Sequence, residues 1–225
     1  MQGPVYIIII VILSSLPILI TYLYLKQRSR QLNIWLFLSA LTAGALSMLA
    51  GSVLQFLFPM AMSGDRISLL YTVFLRNAFA EELGRYVVLL LLFFVLPKLF
   101  SNYETGVESF SLLPREMIIF TGILAGFTFA MLETLSYGLL NVQLIIVRTL
   151  TSAPLHAACA ARVALSASLT TVGGIPRALF YGISAVLIHG VYNLLLLFPS
   201  TLAVLPIILA YVALGSALAL AKERP

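Results

Sequence analysis

The sequence has 225 residues, of which 61% are hydrophobic and only 9% charged, with a mean hydropathy of +1.08 and a formal net charge of +5. Soluble domains carry roughly 25% charged residues. This chain has too little charge to cover a water-facing surface, so its exterior must meet lipid, which excludes an ordinary soluble enzyme. In such a chain the basic excess belongs to cytoplasmic loops rather than to a nucleic-acid surface, so no nucleic-acid partner is expected.

The pattern predicts an all-α, polytopic transmembrane helical bundle of about seven spans, forming one domain over residues 1–225. Met1-Gln2-Gly3-Pro4 puts no basic residue ahead of the first apolar run, and the run is too long for a signal-peptide core, so it reads as a retained span from Pro4 to Leu25. The second span is predicted from Asn33 to Phe58, with Gly44, Ser47, Gly51 and Ser52 at spacings that suit close helix approach. Pro59 and Gly64-Asp65 mark a turn. From Ile67 to Phe100 apolar character is nearly continuous, about 50 Å as one helix against a hydrocarbon core near 30 Å. A break is therefore expected, with Ile67–Phe79 interfacial or re-entrant and Glu81–Leu99 as the third span.

Ser101 to Arg115 reads as a polar loop. Span four follows from Glu116 to Leu140, and span five from Val142 to Ser166. A Gly-rich turn at Thr170–Ile175 leads into span six, Pro176 to Phe198, and after Pro199-Ser200 span seven runs to about Leu220. The single cysteine, Cys159, excludes an internal disulfide and a CxxC metal site. With the N-terminus outside and the C-terminus cytoplasmic, Lys26, Arg28, Arg30, Lys98, Arg115, Arg162, Arg177, Lys222 and Arg224 fall at cytoplasmic ends, as the positive-inside rule prefers.

Under that topology one layer of ionisable residues stands out near the outer side. Glu81, Glu82 and Arg85 open span three, Glu133 lies in span four, Arg148 and His156 in span five, and His189 and Asn193 in span six. A charge at the centre of a membrane helix costs about 2.5–3.5 kcal/mol on insertion scales unless paired or wetted. Taken singly, each residue has an ordinary explanation: a hydrogen-bonded histidine, a packing anion for Arg148, or interhelical polar glue at Asn193. Taken together, both histidines and three of the eight acids at similar depth point to a functional site.

The set has what amide hydrolysis needs. A carboxylate can act as general base toward water, and a neighbouring histidine can position that water or protonate the leaving amine. Asn and a second histidine can donate to the oxyanion. Two Glu and two His are equally acceptable ligands for a divalent metal such as zinc, so Glu81, Glu133, His156 and His189 are the candidate ligands if a metal is present. There is no HExxH, no Ser–His–Asp arrangement, and no aspartate in the layer for an aspartyl dyad. A proton- or ion-coupled transporter using the same cluster is the alternative, although no inverted halves are visible.

Four motifs in chain order resemble the PrsW family of intramembrane proteases, within the larger group of CAAX prenyl endopeptidases and Abi-type membrane proteases. Glu81-Glu82-Leu83-Gly84-Arg85 is similar to the family's EExxK/R motif, and Phe129-Ala130-Met131-Leu132-Glu133 to its FxxxE motif. Arg148 with His156 resembles the arginine–histidine pair, and His189-Gly190-Val191-Tyr192-Asn193 the HxxxN motif. Thr134 departs from the Asn usual after the FxxxE glutamate. The resemblance implies an endopeptidase of a bacterial cell membrane, hydrolysing membrane-tethered proteins near the outer face. In one branch the substrate is similar to an anti-sigma factor, cut at its first site. On this reading Glu81 is expected to act as general base or metal-bridging carboxylate, His156 to position water or bind metal, and His189 and Asn193 to stabilise the oxyanion. Glu82 and Glu133 support the centre, with Arg85, Arg148 and Phe129 around it.

Overall fold

A computed structural model describes residues 4–28, 34–59, 65–100, 114–138, 142–198 and 204–222. Helix α1 (Pro4–Arg28) is followed by α2 (Ile34–Leu57), a short α3 (Arg66–Leu70), a π-helical segment (Tyr71–Phe79) and α4 (Ala80–Phe100). Then come α5 (Arg115–Gly138), α6 (Val142–Thr171), α7 (Ile175–Leu195) and α8 (Val204–Leu220). No strand occurs among the described residues. Four helices, Ile34–Leu57, Arg115–Ser136, Gln143–Thr171 and Ile175–Leu195, are long and apolar enough to cross a membrane. Ile10–Tyr24 and Val204–Leu220 are shorter apolar helices. The turn expected at Gly64, most of the loop expected at Ser101–Arg115, and Pro199-Ser200 lie outside the described residues.

Helix α6 is the hub and touches α1, α4, α5, α7 and α8. Its alanines, among them Ala153, Ala157, Ala160, Ala161 and Ala164, are buried, and such small side chains let neighbouring backbones come close. The α5–α6 contact is extreme: a Cβ on Gly126 would sit 2.4 Å from the His156 carbonyl oxygen, and one on Gly122 2.5 Å from that of Ala160. Helices α2 and α4 meet the same way, with Gly84 against the backbone of Gly51. Of the small residues expected to mediate this approach, Gly44, Ser47 and Gly51 are buried, whereas Ser52 is exposed. Large apolar side chains such as Trp35, Phe56, Phe180 and Val212 project outward, as a lipid-facing surface requires.

The break expected before Glu81 is not a break. Backbone from Arg66 to Phe100 stays helical, and Leu70, Tyr71 and Ala80 at the junctions all have right-handed helical dihedrals. No Gly or Pro lies between Ile67 and Leu83 to interrupt it. The change is one of winding, from α to π and back, and π turns are often found beside functional sites. The π segment packs along α7, where the Phe74 ring fills the space over Gly190. It is tied to the end of α2 by Arg76 Nε, which donates to the Phe58 carbonyl at 3.2 Å, and by an edge-on contact between Phe58 and Phe79.

The α6–α7 turn is where the glycines predicted it. Gly173 takes a left-handed φ of 78°, Gly174 N–H closes onto the Leu169 carbonyl at 2.9 Å, and Pro176 occupies the first turn of α7. This is the usual division of labour between a C-terminal Gly and an N-terminal Pro. Arg162 corrects the expectation of a basic residue at a helix end. It is buried between α6 and α8, donating to the carbonyls of Ala158 and Ala213 and to the Ser216 hydroxyl.

Candidate active site

The first turn of α4 delivers Glu81, Glu82 and, one turn later, Arg85. The Gly84–Gly51 contact presses this turn onto α2, so Glu81 Cα lies 3.2 Å from where a Gly51 Cβ would be. One turn further along α2, Gln55 reaches the same place, and its Nε2 donates to Glu81 Oε1 at 3.0 Å. Glu82 turns inward instead. Its Oε2 accepts a short hydrogen bond from Arg85 Nη1, and its Oε1 lies 2.7 Å from His189 Nδ1 on α7. Glu82, Arg85, His156 and His189 are each no more than 2% exposed.

Across the bundle, α5 and α6 supply a second half. Glu133 Oε2 lies 2.9 Å from His156 Nε2 and 2.7 Å from Arg148 Nη2. His156 Nδ1 faces Arg85 Nη2 at 3.3 Å, which joins the two halves. Phe129, one turn before Glu133, packs its ring against the His156 ring at 4.9 Å and lies under the Arg85 guanidinium at 4.5 Å, a cation–π geometry. The His156 and His189 rings meet edge to face at 5.0 Å.

Hydrogen-bond direction assigns the imidazole faces. A guanidinium only donates, so His156 Nδ1 accepts from Arg85, and its Nε2 faces Glu133 Oε2 across a 2.9 Å ion-pair contact. A carboxylate in an ion pair accepts, so His189 Nδ1–H donates to Glu82 and its Nε2 is left with a lone pair. That nitrogen lies 3.8 Å from Glu81 Oε2, and Glu81 Oε2 is buried without a hydrogen-bond partner among the described residues. With a neutral His189 and an ionised Glu81, two acceptors face each other with no donor between them. The same imbalance appears in the charges: three carboxylates (Glu81, Glu82, Glu133) surround two guanidiniums (Arg85, Arg148). Glu81 is the carboxylate left over.

This arrangement fits a divalent cation. Glu81, His156 and His189 each offer a ligand atom, and these atoms lie within 4.8 Å of one another. Zinc bonds to N and O are about 2.0–2.2 Å long, so two of them can bridge the gap between Glu81 Oε2 and His189 Nε2. His189 holds Glu82 on its other nitrogen, the partnership that orients histidine ligands in metal sites. His156 is engaged on both nitrogens, by Arg85 at Nδ1 and Glu133 at Nε2, and would bind a metal through Nδ1 only on releasing Arg85. Glu133, a candidate ligand on sequence grounds, stands outside the three-residue group and faces the far side of His156.

A family model described as PrsW family intramembrane metalloprotease matches residues 29–219. The chain belongs to the PrsW family. The match covers every residue described in this site, including Gln55 on α2. Neither the curated proteins nor the solved structures gave a match. The segments singled out in the sequence converge in space, bringing Glu81, Glu82, Arg85, Phe129, Glu133, Arg148, His156 and His189 into one connected network. Asn193 is one turn from His189 on α7 and partly buried, and its side chain makes no hydrogen bond to a described residue. Gln55 is the site residue that sequence reasoning passed over. A signal was there: Gln55 follows Gly51 by four positions, on the face that meets Glu81. Tyr192 was also passed over; its hydroxyl donates to Thr151 Oγ1 at 3.1 Å and ties α7 to α6 beside the histidines.

Proposed function

We propose that this PrsW-family chain is an integral-membrane endopeptidase that hydrolyses peptide bonds of membrane-tethered proteins, with the Glu81–His189 gap as its reaction centre. The observation that carries the reading is the facing pair Glu81 Oε2 and His189 Nε2, 3.8 Å apart in a buried network, which are opposed acceptors when the imidazole is neutral. A water, or a metal-bound water, is the group such a gap accommodates. Family membership supports peptide hydrolysis in the membrane and disfavours a transporter.

In this reading Glu81 takes a proton from the water as its oxygen forms a bond to the scissile carbonyl carbon. Glu81 then returns that proton to the amide nitrogen as the C–N bond breaks. Gln55 holds Glu81 Oε1, so that Oε2 does the work. With its proton on Nδ1, His189 accepts through Nε2, which suits it to the water or a metal better than to the oxyanion. Asn193 is left as the side-chain donor for the oxyanion. Glu82 and Glu133 fix the two imidazoles, Arg85 and Arg148 balance those carboxylates, and Phe129 backs both His156 and Arg85. Glu81, His156 and His189 would hold a divalent ion, which when bound supplies Lewis acidity to the water and the carbonyl.

We place the centre toward the outer face of a bacterial cytoplasmic membrane, in a bundle of about seven spans with the N-terminus outside, because that orientation puts most basic residues at cytoplasmic ends. A protein resembling an anti-sigma factor, cut at its first site, is the substrate class this suggests. The test is to incubate purified protein in detergent with a panel of single-span tethered proteins and sequence the new termini. Wild type should generate them and Glu81→Gln should not, at equal expression. Full turnover by purified Glu81→Gln would sink the general-base assignment.

A further inference from the structure

The proposed centre is buried, so a substrate needs a way in. A cavity of about 670 Å³ between α1, α5, α6 and α8 touches none of the ion-paired site residues. A second, of about 360 Å³, runs between α4 and α7 over a floor made by α6, and it is lined by Glu82 at its upper end. Helices α4 and α7 make little direct contact, which leaves this groove open between them. Leu179, Ile183 and Leu187, four residues apart on one face of α7, form one wall and are each more than half exposed. The groove extends from Leu187 down to Ile175, about 18 Å or three helical turns.

The groove is apolar in practice as well as in composition. Of its hydroxyls, Tyr86 donates to Thr170 and Ser166 donates to the Ala178 carbonyl, so these are already engaged. The one charged residue among its described lining is Glu82, which belongs to the network of the reaction centre. A water-borne peptide gains nothing from such walls, whereas a membrane-borne apolar segment does. A phospholipid fits the walls but brings its phosphate toward a carboxylate if its headgroup lies at the Glu82 end.

We infer that the α4–α7 groove receives the apolar membrane span of the tethered substrate, laying about three turns of it along α7 with the scissile bond at the Glu82 end. This rests on the peptidase reading above, and it makes the portion of the span along Leu179, Ile183 and Leu187 the part that selects substrates. The groove reaches one residue of the site, Glu82, next in sequence to Glu81, whereas the larger cavity reaches none of the ion-paired residues.

Cys159 is the chain's single cysteine and is fully buried, so an introduced cysteine can be addressed alone. The probe is a synthetic single-span peptide with a leucine-rich core and one cysteine at successive positions, mixed in detergent with the full chain carrying Ile183→Cys or, on α8, Val212→Cys, both highly exposed positions. Disulfide adducts should favour Ile183→Cys by about tenfold, with a maximum at one register of the probe. Adding Val186→Trp, which fills the groove, should lower both the adduct and the cleavage of a tethered substrate by about tenfold, with an unchanged thermal unfolding midpoint. Equal adducts at the two positions, or adducts and cleavage indifferent to Val186→Trp, would overturn the inference and leave the peptidase reading standing. Groove-selective adducts with no cleavage of any substrate by wild type would support docking and sink the peptidase reading. Recovery of groove-bound lipid that the probe fails to displace would assign the groove to lipid and overturn the inference.

Discussion

His189 Nδ1 lies 2.7 Å from Glu82 Oε1, and this contact leaves the other imidazole nitrogen facing Glu81. The two adjacent glutamates therefore have different work. Glu82 is a fully engaged structural anion between Arg85 and His189, and Glu81 keeps one oxygen without a donor.

That division predicts opposite phenotypes for neighbouring substitutions. Glu82→Ala strips the partner from a fully buried arginine, and breaking a buried pair in this way costs about 3–5 kcal/mol. Thermal unfolding in detergent should move down strongly. Glu81→Gln keeps an oxygen for Gln55 to donate to and should unfold at the wild-type temperature while cleaving nothing. If both variants melted alike, the distinction between the two carboxylates would be lost.

Gln55 positions Glu81 and touches nothing else of the site that the described contacts record. Gln55→Ala should lower kcat about tenfold, about 1.4 kcal/mol of barrier, with little change in KM. Gln55→Glu should lose more, because it sets a third carboxylate against Glu81 and Glu82. A KM effect with intact kcat would place Gln55 in substrate binding instead.

The glycine contacts predict where the bundle has no slack. A side chain at Gly84 or Gly126 would collide with backbone atoms, 2.5 Å from Gly51 N and 2.4 Å from His156 O respectively. Gly84→Leu and Gly126→Leu should each destabilise by about 3 kcal/mol or more, since overpacking against rigid backbone sits at the upper end of such costs. Gly215→Leu on α8, where nothing lies within 4 Å, is the matched control and should melt near wild type. Circular dichroism melts in one detergent compare the three.

Metal content separates ligands from their supports. Glu81→Ala, His156→Ala and His189→Ala should each abolish stoichiometric divalent metal in the purified protein. Glu133→Ala, which removes the orienting partner of His156 together with the anion beside Arg148, should weaken affinity about 10–100-fold. Elemental analysis after dialysis against graded chelator reads both effects. Wild-type metal in all four variants would remove the ion from the proposed centre.

The candidate residues were legible in the sequence because charge in an apolar helix is rare and costly. Glu81, Glu82, Arg85, Glu133, Arg148, His156 and His189 stand out against their neighbours for that reason alone. Gln55 was not, since one amide near the end of a span is unremarkable until the Gly51–Gly84 approach brings it to Glu81. The continuous helix through Tyr71–Phe79 was likewise hidden: span-length arithmetic asks for a break, but only packing against α7 decides that the extra length is absorbed by π turns. Arg162 looked like a basic flank and is an interior donor to α8 carbonyls, because which side of α6 it occupies depends on where α8 lies.

Composition and hydropathy by themselves determined an all-helical chain made to face lipid, and its rare ionisable residues named the members of the site. Those are local quantities, set by the solvation cost of each side chain. What the tertiary structure alone decided is how the members pair: Glu82 with Arg85 and His189, Glu133 with Arg148 and His156, and Glu81 left with an open oxygen. Pairing depends on distances of a few ångströms between helices distant in sequence, and those are fixed by glycine and alanine contacts that carry no charge signal of their own.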